Sequence, residues 1–170
     1  NLNQFNPSAI AFDIVFSEED KQNPQDLLLK LQKESDQLIS ANVLNTNKIF
    51  IDSISKSKVI LPVLGEPNDN FVENNSKPKL KIITKGENAK NFLYSYKNKI
   101  ISLEEINNAA SGIGAISLIP NIDGIIRKIP FLYNIDNQIW TSLALEAIRI
   151  ATNQKNLLVQ SDKSGISVIK

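Results

Sequence analysis

The sequence has 170 residues, of which 42% are hydrophobic and 22% are charged, and its formal net charge is +1. This length and composition predict one globular domain with a core of its own, and the charge near zero argues against nucleic acid as a partner. Histidine, cysteine and methionine are absent. Their absence excludes a histidine base, a thiol nucleophile, disulfides and cysteine-type zinc sites, and we expect no cofactor and no metal.

The first predicted strand is residues 9–16 (AIAFDIVF), an almost unbroken apolar run with one internal acid, Asp13. Such a run is typical of a central strand that is covered on both faces. After a polar loop, Pro24 takes a favourable first helical position behind Asn23, which can cap the helix. Leucines at helical spacing extend this predicted helix to about residue 44.

A second predicted helix, residues 48–56, precedes a second predicted strand, residues 59–64 (VILPVL). Pro62 removes a backbone donor from this strand, so we expect a bulge or a strand end there. Residues 65–79 are polar and broken by Pro and Gly, which predicts an exposed loop. Residues 80–84 predict a short strand, and the lysines that alternate around it indicate either a protected edge strand or an anion-binding patch.

Residues 86–101 carry alternating aromatic side chains, which favour a strand without excluding a helix. Ser102 and Glu105 have the spacing of a capping box and predict the start of a short helix. The next apolar run, residues 112–119 (GIGAISLI), predicts another strand covered on both faces. Its two glycines lack the third glycine of a dinucleotide-binding loop, so we expect them to let a helix or another backbone approach closely.

The last third of the sequence alternates turns with short regular elements. Asp123-Gly124 predicts a turn before a strand at residues 125–132, and Asp136-Asn137 predicts another turn. The remaining predicted elements are a helix at residues 142–153 and a closing hairpin of residues 157–160 with 166–169. Together these elements predict an α/β fold with a mixed central sheet covered by helices, with terminal hairpins.

Two charged residues lie inside predicted apolar strands. Asp13 shares a strand face with Ala11, and Arg127 shares one with Ile129. Because an unpaired buried charge is costly, we expect Arg127 to pair with Asp123, four residues earlier, or with Asp13. Such a pair has two interpretations: a buried ion pair that fixes the register of the sheet, or a group that reads a ligand and transmits a signal.

No catalytic motif is visible in the sequence: a P-loop, a nucleophile elbow and metal-ligand spacing are all missing. The acids of residues 18–20 are more typical of a solvated loop than of a metal site. We therefore predict no catalytic residues and no enzyme activity for this chain. The alternative is a carboxylate-based enzyme in which Asp13 acts with Asp123 or Glu18.

Two segments resemble the second type of CHASE domain, an extracytoplasmic sensor module. Residues 9–20 (AIAFDIVFSEED) are similar to a family strand with an internal Asp followed by Phe, Ser and acids. Residues 103–151 are similar to four consecutive elements of the family. These are a helix, a glycine-containing strand, a D-G-h-h-R turn (h, a hydrophobic residue) and a Ser-Leu-Ala helix. The resemblance implies that the signature or ligand-related positions are Asp13, Ser17, Asp123, Gly124 and Arg127.

The resemblance implies a single sensor domain over residues 1–170 of a larger receptor, whose upstream strand and helix and membrane segments lie outside this chain. It implies a place on the periplasmic face of the inner membrane and an output through an adenylate or guanylate cyclase, with a histidine kinase or a Ser/Thr kinase as the alternative. The expected partners are a small-molecule or protein signal and a second copy in a homodimer. A periplasmic protein-interaction module that uses residues 65–79 is the alternative function.

Overall fold

The computed structural model describes residues 2–35, 44–68 and 76–170. Its helices and strands are, in chain order, β1 Ile10–Ala11, α1 Pro24–Ser35, α2 Thr46–Ser55, β2 Val59–Glu66, β3 Lys81–Gly86, β4 Tyr94–Tyr96, β5 Asn98–Ile101, α3 Glu104–Ala109, β6 Gly112–Ala115, β7 Leu132–Ile135, β8 Gln138–Thr141, α4 Leu143–Ala151, β9 Asn156–Asp162 and β10 Gly165–Ile169. The helices and the parallel and antiparallel strands confirm the predicted α/β class with a mixed sheet.

Strand β2 is the centre of the main sheet. Strand β6 pairs with it in parallel along one edge, while β1 (parallel) and β5 (antiparallel) share the other edge. Pro62 lies inside β2, so the predicted bulge or strand end is wrong. The missing N–H of Pro62 falls between Ile60, where pairing with β1 ends, and Val63, where pairing with β5 begins. The proline therefore removes no bond that either neighbour requires.

A bridge between Ala115 and Ser142 extends the main sheet beyond β6. It leads to β8, which pairs with β7, which in turn pairs with β4. The β7–β8 turn is Asp136-Asn137, whose φ angles of 52° and 54° lie in the left-handed region that a type I′ hairpin requires. The predicted turn at this position is confirmed.

A third sheet places β9 between β10 and β3. Its β9–β10 pair is the predicted closing hairpin. Within the described parts of the chain β3 pairs with β9 alone, and Lys81 and Lys85 on it are exposed. This placement supports the interpretation of these lysines as protection of an edge strand.

Helices cover both faces of the main sheet. On one face, Val59 and Leu61 of β2 pack against Ile54 of α2 and Ile106 of α3. On the other face, α4 lies against β6 and also contacts β1 and β2. The core is therefore divided by the sheet, as the alternation of helices and strands predicts.

The predicted strand at residues 9–16 is much shorter than expected, because only Ile10–Ala11 pairs with β2. The edge of β2 beyond this point is occupied by β5, so within the described part of the chain no strand pairs with residues 12–16. Phe12 and Phe16 still pack edge to face with Phe50 of α2, and their ring centroids lie 6.4 and 4.9 Å from that of Phe50. Ile14 is 60% exposed, so this segment is not covered on both faces.

The predicted strand at residues 125–132 is wrong, since β7 begins only at Leu132. Pro130 lacks an N–H, and β7 pairs with β8 only from Leu132 onward and with β4 only from Tyr133 onward. The strand predicted at residues 112–119 likewise ends at Ala115. Residues 116–131, which we call the 116–131 loop, therefore connect β6 to β7 without regular structure.

Helix α1 begins at Pro24, as predicted, and the buried Asn23 precedes it. The Asn23 Oδ1 atom accepts the backbone N–H of Gln25 at 3.3 Å, which confirms its place at the helix start. The predicted extension of this helix to residue 44 lies outside the described residues, except for residue 44 itself. Part of the predicted loop at residues 65–79 also lies outside them.

The predicted capping box of Ser102 and Glu105 is wrong. The residue that caps α3 is Leu103, which makes no side-chain capping bond. Instead, the Ser102 Oγ accepts the backbone N–H of Phe16 at 3.0 Å, and the Ser102 carbonyl accepts the side-chain amide of Asn107 at 2.6 Å. Ser102 thus joins the segment after β1 to the start of α3.

We expect Ser102→Ala to lower the free energy of unfolding by about 1–2 kcal/mol, because it leaves the N–H of Phe16 without its acceptor. Urea denaturation measures this loss. The matched control is Ser55→Ala, which removes an exposed hydroxyl that donates to Asp52 and should change the free energy by less than about 0.5 kcal/mol. Equal effects of the two substitutions would contradict the role assigned to Ser102.

Candidate functional site

An open cavity of about 290 Å³ lies at the carboxyl ends of the parallel strands β1 and β6, beside the first turn of α4. In α/β proteins, ligands commonly bind outside the carboxyl ends of parallel strands. The volume is near the lower end of ligand pockets, which span about 300–1,000 Å³. The wall is almost entirely apolar, and its residues are Ala11, Asp13, Ala115, Ile116, Leu118, Ile129, Tyr133, Ser142, Leu143, Ala144 and Ala147.

Two glycines of β6 let α4 form one side of this cavity. A Cβ atom at Gly114 would lie 2.6 Å from the Cα of Leu143, and one at Gly112 would lie 2.5 Å from the Oε1 of Glu146. Both distances are too short for real Cβ contacts, so the predicted close approach of a helix is confirmed. Ser142 caps α4, since its Oγ accepts the N–H of Leu145 at 3.2 Å.

A buried ion pair joins Glu146 and Arg149 on the same helix. The Arg149 Nη2 and Nε atoms donate to the Glu146 Oε1 and Oε2 at 2.6 and 2.9 Å, and Glu146 is 0% exposed. Thr141 also donates to Glu146 at 3.1 Å, and Arg149 donates to the carbonyl of Gln154 at 2.6 Å. Opposite charges three residues apart in an apolar helix are only a weak signal for such a pair.

Asp13 and Ala11 both lie on the cavity wall. This agrees with the prediction that their side chains share one face of a strand. The expectation of a buried charge is wrong, because β1 ends at Ala11 and the Asp13 side chain is exposed. Among the described residues, nothing forms a hydrogen bond or ion pair with the Asp13 carboxylate. The predicted pairing of Asp13 with Arg127 is therefore also wrong.

Tyr133, which lines the cavity, is bonded to Ser117 of the 116–131 loop. The buried Tyr133 hydroxyl donates to the carbonyl of Ser117 at 2.8 Å, and burial raises the pKa of Tyr133 to about 12. The Ser117 Oγ accepts the N–H of Gly65 at 2.7 Å. These bonds attach the start of the 116–131 loop to β2 and β7.

Arg127 pairs with Asp123, which confirms one of the two predicted partners. The pair is bidentate, with Arg127 Nη1 and Nη2 lying 3.0 and 2.7 Å from the Asp123 carboxylate oxygens. Gly124 between them has a φ of +78°, which confirms the predicted turn. Both charged side chains are about half exposed, so the expectation of a buried ion pair is wrong. The pair stabilises the 116–131 loop locally and does not set the register of a strand.

The Asp123–Arg127 pair should titrate at low pH. Hydrogen bonds from the Arg127 guanidinium, and then from the N–H of Ile125, hold the pKa of Asp123 below its ordinary 3.8. The contribution of the pair to the free energy of unfolding is thus complete above pH 3.8, the ordinary pKa of Asp123. It is lost as the pH falls through the lowered pKa that Asp123 has in the folded protein. We expect the carboxyl carbon of Asp123 to titrate below pH 3.8 by NMR and at a higher pH in Arg127→Gln. Identical midpoints in the two proteins would contradict this account.

The 116–131 loop exposes an unusual number of large apolar side chains. Its tip consists of Ile122, Ile125 and Ile126, and its base contributes Leu118 and Ile129 to the cavity rim. Ile122 is fully exposed, and Leu118 and Ile129 are 52% and 62% exposed. Clustered exposed apolar side chains mark interaction surfaces, so the loop connects a cavity with a second candidate contact surface.

The acids after β1 do not complete a catalytic site with Asp13. Ser17 and Glu18 are exposed, and Glu18 pairs with Lys21 at 2.7 Å. The cavity that Asp13 lines contains neither Glu18 nor Asp123, so it does not hold the pair of carboxylates that the enzyme alternative requires. Among the described residues, no group of three or more acids is placed to hold a metal ion.

Within the parts of the chain that the structure describes, no helix has the length and hydropathy needed to cross a membrane. No curated protein and no solved structure matches the chain. The family model of the CHASE2 domain matches residues 1–168. The sheet, the paired Asp123 and Arg127 and this nearly complete match lead to one conclusion: the chain belongs to the CHASE2 family of extracytoplasmic sensor domains.

Proposed function

We propose that this domain is the signal-receiving part of a membrane-anchored receptor on the periplasmic side, and that its signal binds in the cavity beside α4. The observation that carries the proposal is the cavity itself, an open apolar space where β1, β6, α4 and the 116–131 loop meet. A ligand there would touch four separate elements at once. It could therefore shift an equilibrium between two arrangements of these elements, which is what a sensor requires.

The proposed output is an adenylate or guanylate cyclase in the same protein. The family supports a receptor of this general kind, and the choice of a cyclase rests on fold-level analogy. The direct experiment is to sequence the gene beyond both ends of this chain and to assay the whole protein for cyclic-nucleotide synthesis. We expect hydrophobic spans of about 20 residues and a cyclase module.

Other results of this experiment select among the alternatives. A histidine kinase or Ser/Thr kinase module beyond the spans would replace the cyclase and retain the sensor. A complete reading frame without spans would contradict membrane anchoring and favour the periplasmic interaction module. The predicted interaction site of that module, residues 65–79, lies partly outside the described residues.

A second candidate function of this domain is self-association through the tip of the 116–131 loop. The exposed apolar side chains of Ile122, Ile125 and Ile126 favour it, because burial of such side chains drives protein association. We expect a concentration-dependent dimer in analytical ultracentrifugation that Ile122→Asp with Ile125→Asp dissociates. Phe5→Asp is the control, since Phe5 is 82% exposed in the amino-terminal 3-10 helix, Leu2–Phe5. A monomer at all concentrations, or a dimer equally sensitive to Phe5→Asp, would contradict this interface.

A further inference from the structure

One exposed charged side chain, that of Asp13, borders the otherwise apolar wall of the cavity. Among the described residues that line it, Asp13 alone is charged. The two other polar side chains there are already engaged: the Ser142 Oγ accepts the N–H of Leu145, and the Tyr133 hydroxyl donates to the carbonyl of Ser117. The Asp13 carboxylate has no partner in the described part of the chain.

None of the described residues of the cavity wall neutralises this carboxylate. No lysine or arginine is among the lining residues, and the guanidinium of Arg127, two residues before Ile129 of the rim, is occupied by Asp123. A cation brought by a ligand would therefore find an unpaired acid next to an apolar surface. The rest of the ligand would be held by burial of its apolar part.

We propose that the cavity binds small amphipathic amines, with the ammonium group at Asp13 and an aliphatic or aromatic body against Ala115, Ala144 and Ala147. This inference rests on the proposed role of the cavity as the signal site. The three alanines leave the space that the apolar body would occupy, and the volume of about 290 Å³ limits the ligand to a small molecule.

An anionic ligand is the rival, because the amino end of α4 also reaches the cavity. The dipole of a helix favours a negative group at its amino end. The Asp13 carboxylate opposes this preference, since it would repel a second negative charge in the same cavity. Ser142 also occupies one of the donors of the first turn. We therefore expect the carboxylate of Asp13 to decide the sign of the ligand's charge.

Three probes of equal chain length and different charge test this inference: hexylamine, hexanol and hexanoate. Each is titrated at neutral pH into the 170-residue chain, and the amide NMR shifts of the cavity residues are followed. We expect hexylamine to bind about three- to fivefold more tightly than hexanol, as an accessible ion pair allows, and hexanoate to bind most weakly. In Asp13→Asn, hexylamine should bind no more tightly than hexanol.

A matched pair of variants locates the binding. Ala144→Leu places a larger side chain in the cavity and should abolish the shifts caused by hexylamine and hexanol. Ala151→Leu makes the same change at the end of α4, outside the cavity, and should leave both affinities unchanged. Folding of each variant is checked by its amide spectrum.

The outcomes separate this inference from the proposed function. If hexanol binds the cavity as tightly as hexylamine, or if hexanoate binds best, the amine class is wrong and the cavity remains a ligand site. If none of the three probes produces saturable shifts at the cavity residues, both the amine class and the role of the cavity are contradicted.

Discussion

Arg149→Leu is expected to lower the free energy of unfolding by about 3–5 kcal/mol, since it leaves a carboxylate buried without its partner. Glu146 is 0% exposed and accepts two hydrogen bonds from the Arg149 guanidinium. After the substitution, the hydroxyl of Thr141 would be the one remaining donor among the described contacts of this carboxylate. Urea denaturation of the 170-residue chain measures the loss.

Replacing both members of the pair distinguishes the cost of an unpaired buried charge from the cost of lost packing. Glu146→Met combined with Arg149→Leu should restore most of the stability, because apolar residues of similar volume often substitute for a buried ion pair. Lys21→Ala is the surface control, as it removes an exposed pair with Glu18 and should leave the urea midpoint nearly unchanged. If Arg149→Leu costs no more than Lys21→Ala, the pair is not buried in solution.

The second large effect is expected at Gly114. Gly114→Ala should cost about 2–3 kcal/mol, because the new Cβ would meet the backbone of α4, with the Cα of Leu143 at 2.6 Å and the carbonyl oxygen of Ser142 at 3.0 Å. Backbone atoms cannot rotate away as a flexible side chain can. The helix must therefore move off β6, which would also change the shape of the cavity.

The matched control for this substitution is Gly124→Ala. Gly124 has a left-handed φ of +78° but no atom within 4 Å of a Cβ built on it, so alanine there should cost about 1 kcal/mol from backbone strain alone. Denaturation of both variants gives the comparison. An equal or smaller loss for Gly114→Ala would mean that α4 does not lie within contact distance of a Cβ atom at Gly114.

Most of the helices and strands could be predicted from short sequence patterns, because the residues that begin, cap or connect them act on their immediate neighbours. Pro24 begins α1, Ser142 caps α4, and the Asp136-Asn137 turn joins β7 to β8. Each depends on the conformational preferences of a few consecutive residues. The close approach of a helix to Gly112 and Gly114 was also predictable, since glycines in a strand indicate close contact.

The errors have a cause that is not local, namely the availability of pairing partners. Residues 9–16 and 125–132 have the composition of strands, but the edge of β2 beside the first segment is taken by β5. The second segment reaches its partners only from Leu132. Their exposed apolar side chains could not be distinguished from buried ones by periodicity alone.

The cavity was predictable only in part. Asp13 was identified as an unusual acid and lies on its wall, whereas its predicted partner, Arg127, pairs within the 116–131 loop instead. In helix α4 the charged Glu146 is buried, whereas the apolar Ile148 is 58% exposed. Amphipathic patterning assumes the reverse, so neither the buried ion pair nor the open apolar space beside it was evident from the sequence.

The most direct test of the cavity as the signal site is the output of the whole receptor. Cyclic-nucleotide levels, the readout of the proposed cyclase output, would be measured in a bacterial host without its own cyclases that expresses the wild-type receptor, Ala144→Leu or Ala151→Leu. The larger side chain at Ala144 occupies the ligand's space, so we expect Ala144→Leu to hold the output at one fixed level, whether or not hexylamine is added. The output of the wild type and of Ala151→Leu should respond to hexylamine. A response of Ala144→Leu equal to that of the wild type would contradict the cavity as the site where the signal binds.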